Sequence, residues 1–380
     1  MQLKAVKILL GSALLSQGVF AELRLGDLHK QMQQVRIVTP NETCGATTAL
    51  ARPILDECDG CCGNNWWVEL GVLYLHPKVA GTEYAYIVDS GTSSCDSSNC
   101  SPIRYVDFKW DWGIKVGLGY NFQHDGWDVG LYYKWYETGS SSTTSVHATT
   151  LQSVVPLKGF PTVGGPADVL ANASKAHSRF KVKYSVIDLE LGREFYISRR
   201  LSMHPHFGLK AGFFTLQQNS KYIGGDIGCN LYTVSDCSKY WGFGPMMGWD
   251  NNFHICKGFS LFANFAASLI YGQFKVHHRE LFSIAGNPRP NICTNSHAFI
   301  PEIEMFFALQ YDRYFWDDMQ HFRVRFGFEA EYWFNINQMV KSETITTSGT
   351  GAVFQAVERY SFLRTDMSLH GLILEVRLDF

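Results

Sequence analysis

Between Val106 and Tyr120 an apolar residue stands at every second position: Val106, Phe108, Trp110, Trp112, Ile114, Val116, Leu118 and Tyr120. The positions between them hold Asp107, Lys109, Asp111, Gly113, Lys115, Gly117 and Gly119. A helix would spread this pattern around its circumference. A strand, whose side chains alternate between faces, sorts it into one apolar and one polar face. The stretch is longer than the roughly ten residues a tilted strand needs to cross the hydrocarbon of a bilayer. Beyond the first 21 residues no apolar run is long enough for a helical span.

The same period recurs along the chain. Trp66 to Leu75 reads as a first strand ending at Pro77, and Trp127, Val129, Leu131, Tyr133 and Trp135 alternate with Asp128 and Lys134. Phe180, Val182, Tyr184 and Val186 give way to Ile187, Leu189 and Leu191. That slip of parity predicts a bulge keeping Lys181, Lys183, Asp188 and Glu190 on one face. Leu201 to Phe213 places His204, His206 and Lys210 opposite its apolar residues. Trp241 to Trp249, Phe259 to Tyr271, Phe299 to Tyr311 and Phe322 to Phe334 follow, the last two backed by Glu302, Glu304, Arg323, Arg325, Glu329 and Glu331. In the final strand the parity slips between Leu369 and Leu372. Short turns at Gln123–Gly126, Ser198–Arg200, Asn251–Gly258 and Tyr314–Gln320 alternate with five long polar connections.

The expected fold is therefore all-β: an antiparallel transmembrane barrel of about ten strands, or twelve, over residues 66–380, with short periplasmic turns and long extracellular loops. Aromatic residues make up 14% of the chain against only 12 prolines, which suits strands. A soluble β-chain of this length would divide into two domains, and no linker divides it. Closure satisfies every backbone group inside lipid. Trp66, Trp67, Tyr120, Trp127, Trp135, Trp241, Trp249, Tyr271, Tyr311 and Tyr332 fall near strand ends, as interfacial girdles do.

Residues 1–21 read as a secretory signal peptide: Lys4 and Lys7, an apolar core from Ile8 to Leu15, and Gly18-Val19-Phe20-Ala21 before the cut. Residues 22–65 read as a periplasmic segment with a short helix or plug. Of the 33 basic residues Lys4 and Lys7 leave with the signal peptide, so 31 remain against 35 acidic ones, and no basic tract argues for nucleic acid. The ten cysteines lie almost wholly outside strands, and export favours their oxidation over zinc binding. Cys95 with Cys100 and Cys229 with Cys237 are the candidate pairs within loops. Cys44, Cys58, Cys61, Cys62, Cys256 and Cys293 are candidates for bridges between molecules, because each side of the membrane holds an odd number.

The ending Leu372-Ile-Leu-Glu-Val-Arg-Leu-Asp-Phe380 puts Leu374, Val376, Leu378 and Phe380 on one parity and Glu375, Arg377 and Asp379 on the other. It resembles the closing strand of outer-membrane barrels, which implies recognition by the barrel-assembly machinery. Phe108 to Trp127, Tyr184 to Phe195 and Arg200 to Lys210 resemble the Legionella-type major outer membrane protein family, with relatives in chlamydia-like bacteria. That resemblance covers about Trp66 to the end. It implies a porin-like major surface protein, often cross-linked by disulfides, and brings no catalytic residues.

The expected function is passive diffusion of small hydrophilic solutes through a lumen lined by Lys109, Asp111, Lys115, Lys134, Lys181, Lys183, Asp188, Glu190, Lys210, Glu302, Glu304, Arg323, Arg325, Glu329 and Glu331, with weak selectivity because the signs are mixed. The competing reading is a surface interaction or structural barrel whose narrow interior is plugged by those same side chains. The expected partners are outer-membrane lipid, a homo-oligomer or disulfide-linked envelope proteins, and host surface ligands. A hydrolase built on His204-Pro-His206 or His277-His278 lacks any motif placing Ser or Asp beside them, so no catalytic residue, cofactor or metal is expected.

Overall fold

The computed structural model describes residues 66–89, 102–122, 126–146, 152–159, 162–163, 169–170, 172–283, 290–315, 320–348 and 354–380. The expected signal peptide, the segment 22–65, and Cys44, Cys58, Cys61, Cys62, Cys95 and Cys100 lie outside these residues. Ten long strands form the wall: β1 (Trp66–Val79), β2 (Asp111–Asn121), β3 (Trp127–Ser145), β4 (Lys175–Arg193), β5 (Leu201–Ile223), β6 (Leu231–Cys256), β7 (Phe259–Phe282), β8 (Asn291–Phe315), β9 (Gln320–Asn337) and β10 (Thr365–Asp379). Each is antiparallel to the next, and β10 closes on β1 from Trp67↔Asp379 to Val79↔Met367. One extra short strand, Phe195–Tyr196, pairs with the start of β5. The connection expected over Asn251–Gly258 narrows to Lys257 and Gly258, because β6 runs on to Cys256.

The wall is lopsided. β3 to β8 have 19 to 26 residues, whereas β1, β2 and β10 have only 11 to 15. Above the low side, Ala85–Asp89, Ile103–Arg104 and Gln152–Pro156 form a three-stranded sheet, and Val340–Ser348 pairs with Phe354–Phe362. These pieces lean onto the inner face of the tall side. The Tyr84 hydroxyl is 2.7 Å from that of Thr144 in β3, and the Tyr222 hydroxyl of β5 donates to the Tyr84 carbonyl at 2.6 Å.

The tall strands face two solvents in turn. In β7 the outward residues from Phe259 to Tyr271 are Phe, Leu, Ala, Phe, Ala, Leu and Tyr; above Tyr271 they become Gln273, Lys275, His277 and Arg279. The inward residues change the opposite way, from Ser260, Asn264 and Ser268 to the buried Phe274 and Val276. Neighbouring strands switch at the same height, after Trp135, Ser185, Phe213, Trp241 and Phe299. The thirteen residues Phe259 to Tyr271 span about 40 Å along the strand, and a tilt of about 40° reduces this to roughly 30 Å, a bilayer's hydrocarbon thickness. Below the switch the outside is lipid and the inside ionic. Above it the outside is water and the inside an apolar core holding Phe180, Val182, Tyr184, Phe214, Tyr222, Tyr232, Val234, Phe274 and Val276.

This switch corrects several expectations. The register of β4 with β3 and β5 is unbroken through Val186 and Ile187, so no bulge exists there. Phe180 to Val186 point inward and Ile187 and Leu189 outward because the strand leaves lipid, while Lys181 and Lys183 face water and pair with Glu137 at 2.5 and 3.3 Å. The slip between Leu369 and Leu372 has the same cause: Met367, Leu369 and Ile373 are buried inside, and β10 continues without a break. The irregularity in its pairing with β9 lies between Trp333 and Asn337, where Asp366 accepts from the Asn335 amide at 2.7 Å. Phe108 and Lys109 are exchanged relative to expectation, Phe108 being buried and Lys109 exposed, because they too stand above the switch.

One titratable cluster is sealed into the upper core. His278 of β7 lies 2.6 Å from Asp236 and 3.0 Å from Glu280, with all three buried. Burial opposes its charge, but the two carboxylates overcome this and push its pKa up to about 9. A group whose folded pKa is raised stabilises fully below its unfolded value of about 6.5 and loses that contribution as pH climbs through the folded value. The upper core is therefore expected to loosen between pH 6.5 and 9, by a few kcal/mol of local opening free energy. Amide exchange of β6 and β7 above Tyr271, corrected for intrinsic rates, should show protection falling over that window, and the dependence should vanish in His278→Gln.

Candidate functional site: the filled lumen

The inward faces below the switch converge on one network. Lys134 of β3 reaches across the interior to Glu329 of β9 at 2.8 Å, to Glu304 of β8 at 3.5 Å, and to Glu331 in close contact. β3 and β8 stand five strands apart in a ring of ten, so the lysine and the glutamates it meets together bridge opposite walls. Lys210 of β5 lies 3.1 Å from both Glu302 and Glu304 and 3.9 Å from Asp188. Glu302 also accepts from Ser268 at 2.6 Å, and Glu331 from the Tyr184 hydroxyl at 2.6 Å. Five carboxylates here meet two ammonium groups, all of them buried or half-buried. Charges so far from water are held because each has a partner; removing one partner strands the rest.

Further layers lie on either side. Toward the turns, Lys115 pairs with Glu375 at 2.6 Å and Glu69 at 3.5 Å, and Arg325 lies 3.6 Å from the Phe262 ring centre and donates to Gln310 at 2.8 Å. At the base Asp312 joins His321 at 3.0 Å and Arg323 at 2.9 Å, while Arg377 covers the Trp67 ring at 4.2 Å. Above the ionic layer, Trp333 packs on Phe214 at 4.6 Å between ring centres and Tyr240 on Phe274 at 4.5 Å, which caps the polar interior with aromatic rings.

Of the residues expected to line the lumen, Lys115, Lys134, Asp188, Glu190, Lys210, Glu302, Glu304, Arg323, Arg325, Glu329 and Glu331 point inward, and Asp111 is half-buried at the upper end of β2. Lys109, Lys181 and Lys183 do not. Glu69, Glu375, Arg377, Asp312 and His321 were missing from that set although they share its parity. The expected Cys229–Cys237 bridge is also absent: both carry free thiols, as does Cys293, with Cys229 in the turn before β6 and Cys237 out along the strand. Cys237 and Cys293 flank His277 in register on the outer face.

Residues 60–380 match the family described as Legionella pneumophila major outer membrane protein precursor. The chain belongs to this family. Its members' setting, the bacterial outer membrane, agrees with the lipid-facing wall. No curated protein matches the sequence. Similar solved structures include the outer membrane protease OmpT from Escherichia coli, at 9% identity and TM-score 0.42, covering 84% of this chain and 97% of that one. A Pseudomonas aeruginosa FadL homologue matches at 6% identity and TM-score 0.24, over 83% and 90%. The P. putida toluene transporter TodX matches at 8% and 0.20, over 83% and 90%.

Proposed function

We propose that this family member is a surface-presenting structural barrel whose bore is closed, rather than an open diffusion pore. The observation that supports the reading is the Lys134 bridge from β3 to β8 and β9, stacked beneath an aromatic layer. A ten-strand barrel has an interior that side chains can fill, and here ionic and aromatic layers occupy it in succession. What the wall offers instead is a crown of strands and loops standing outside the bilayer. Between Tyr105, Asp107 and Thr143 that crown carries a polar cleft of about 420 Å³ for contact with other molecules. The exposed free thiols Cys229 and Cys293 are placed for bridges to envelope neighbours.

Passive diffusion is the second reading, favoured by the ionic lining. If the bore opened, the excess of carboxylates over ammonium groups would make it cation-preferring. Single-channel recording of the purified chain in planar bilayers, with and without reductant, separates the two readings. The closed-barrel reading expects a silent baseline; steady unitary steps across independent preparations would overturn it.

A further inference from the structure

His206 is buried in the lumen with its imidazole unsatisfied. It is 4% exposed on the inward face of β5, and neither ring nitrogen has a hydrogen-bond partner. A buried imidazole without partners costs about 1–3 kcal/mol, so something else is suited to fill that role. His204, two residues earlier, shares the face. Its Nε2 is 2.6 Å from Asp128 Oδ1 of β3 and its Nδ1 is 3.5 Å from Asp250 Oδ2 of β6. One donor atom each from His204, His206 and Asp250 lies within 4.8 Å of the others. The strands leave room on purpose: a Cβ at Gly192 would meet the His204 ring at 2.4 Å, and one at Gly248 would meet His206 Nε2 at 2.5 Å.

The geometry points to a site for one divalent first-row transition ion, ligated by His204, His206 and Asp250 at the lower end of the lumen. Metal–nitrogen and metal–oxygen bonds of about 2.0–2.2 Å in a tetrahedron separate neighbouring ligand atoms by roughly 3.3 Å, and the His204–Asp250 pair already stands at 3.5 Å. Asp128 holds the far nitrogen of His204, which leaves Nδ1 with its lone pair toward the ion; a carboxylate behind a ligand histidine serves that purpose. Two imidazoles and a carboxylate suit zinc-like ions, whereas calcium and magnesium require mainly oxygen ligands. Asn264 donates to the other oxygen of Asp250 at 2.6 Å and orients it.

The test uses the full chain in detergent with its thiols alkylated, dialysed against Zn2+ alone and assayed for bound metal. Wild type is expected to hold one more ion per chain than His206→Gln or Asp250→Asn. Asp128→Asn should bind ten- to a hundredfold more weakly. X-ray absorption on the wild-type protein needs no variant and should show a nitrogen and oxygen shell with imidazole scattering. Absence of zinc from the wild type, a sulfur shell, or equal binding by His206→Gln and wild type would overturn the site.

A second inference rests on a different observation, the outer face just above the switch. One cross-strand row there reads Glu137, Lys183, Thr215, Lys239, Lys275 and Asn295 on β3 to β8; Glu137 pairs with Lys183 at 3.3 Å, so the anion-facing part of the row is Lys239 and Lys275, with Arg279 two rows up. Lys239 and Lys275 are direct neighbours, an unfavourable like-charge pair unless an anion lies over them. We propose that this row binds the phosphate groups of outer-leaflet glycolipid at the level where the apolar belt ends. Purified wild type should retain lipid A from mixed vesicles at least tenfold better than the double variant Lys239→Gln, Lys275→Gln, and better than it retains dephosphorylated lipid A. Equal retention in either comparison would overturn the proposal.

Discussion

Replacing Lys134 with methionine is expected to lower the stability of the barrel by about 3–5 kcal/mol, the largest effect of any single change in the lumen. Methionine keeps most of the volume, so the loss measures charge and not a cavity. It leaves Glu329 and Glu331 buried against each other, with Glu304 reduced to its Lys210 contact. Urea unfolding in lipid vesicles, followed by the mobility difference between folded and unfolded barrel on unheated gels, reads the change. Adding Glu329→Gln and Glu331→Gln to the same chain should recover much of the loss, since neutral partners no longer repel. A loss under about 1 kcal/mol for Lys134→Met would mean that water reaches this layer freely, which would also undermine the closed-bore reading.

The second large effect tests the change of solvent along the wall. Met305 of β8 faces outward at mid-belt, level with Phe265. Met305→Arg should cost about 2–4 kcal/mol, the depth-dependent cost of a cation near the bilayer centre. Ser235 of β6 also faces outward, but above the switch. Ser235→Arg is expected to stay within about 1 kcal/mol of wild type by the same unfolding assay, the repulsion from Arg279 directly across included. Equal costs at both positions would mean that the belt has been placed at the wrong height.

The fold was legible wherever a strand meets a single solvent. From Trp112 to Leu118, strict alternation marked outward and inward sides correctly because lipid and lumen are the only environments that segment meets. At Val186 the reading failed for a physical reason, which also underlies the parity slip at Leu369. A bulge and a change of solvent both shift the apolar residues by one position, and the string of letters is the same for each. Only the unbroken register distinguishes them. Lys109, Lys181 and Lys183 were misplaced by the same ambiguity. The group around His204 was half legible: the shared face of His204 and His206 follows from their spacing, but Asp128 arrives from 76 residues away, through strand order that no local pattern encodes.

Because β7 is greasy on one edge up to Tyr271 and on the other edge beyond it, a misaligned partner is penalised twice. A slip of one residue would push the lower strand's polar side chains into lipid and, in the same motion, turn Phe274 and Val276 out into water. Strands that cross a single medium feel only the first of these errors. The long staves of this wall thus proofread their own alignment, whereas the short staves β1, β2 and β10 lack most of the second check.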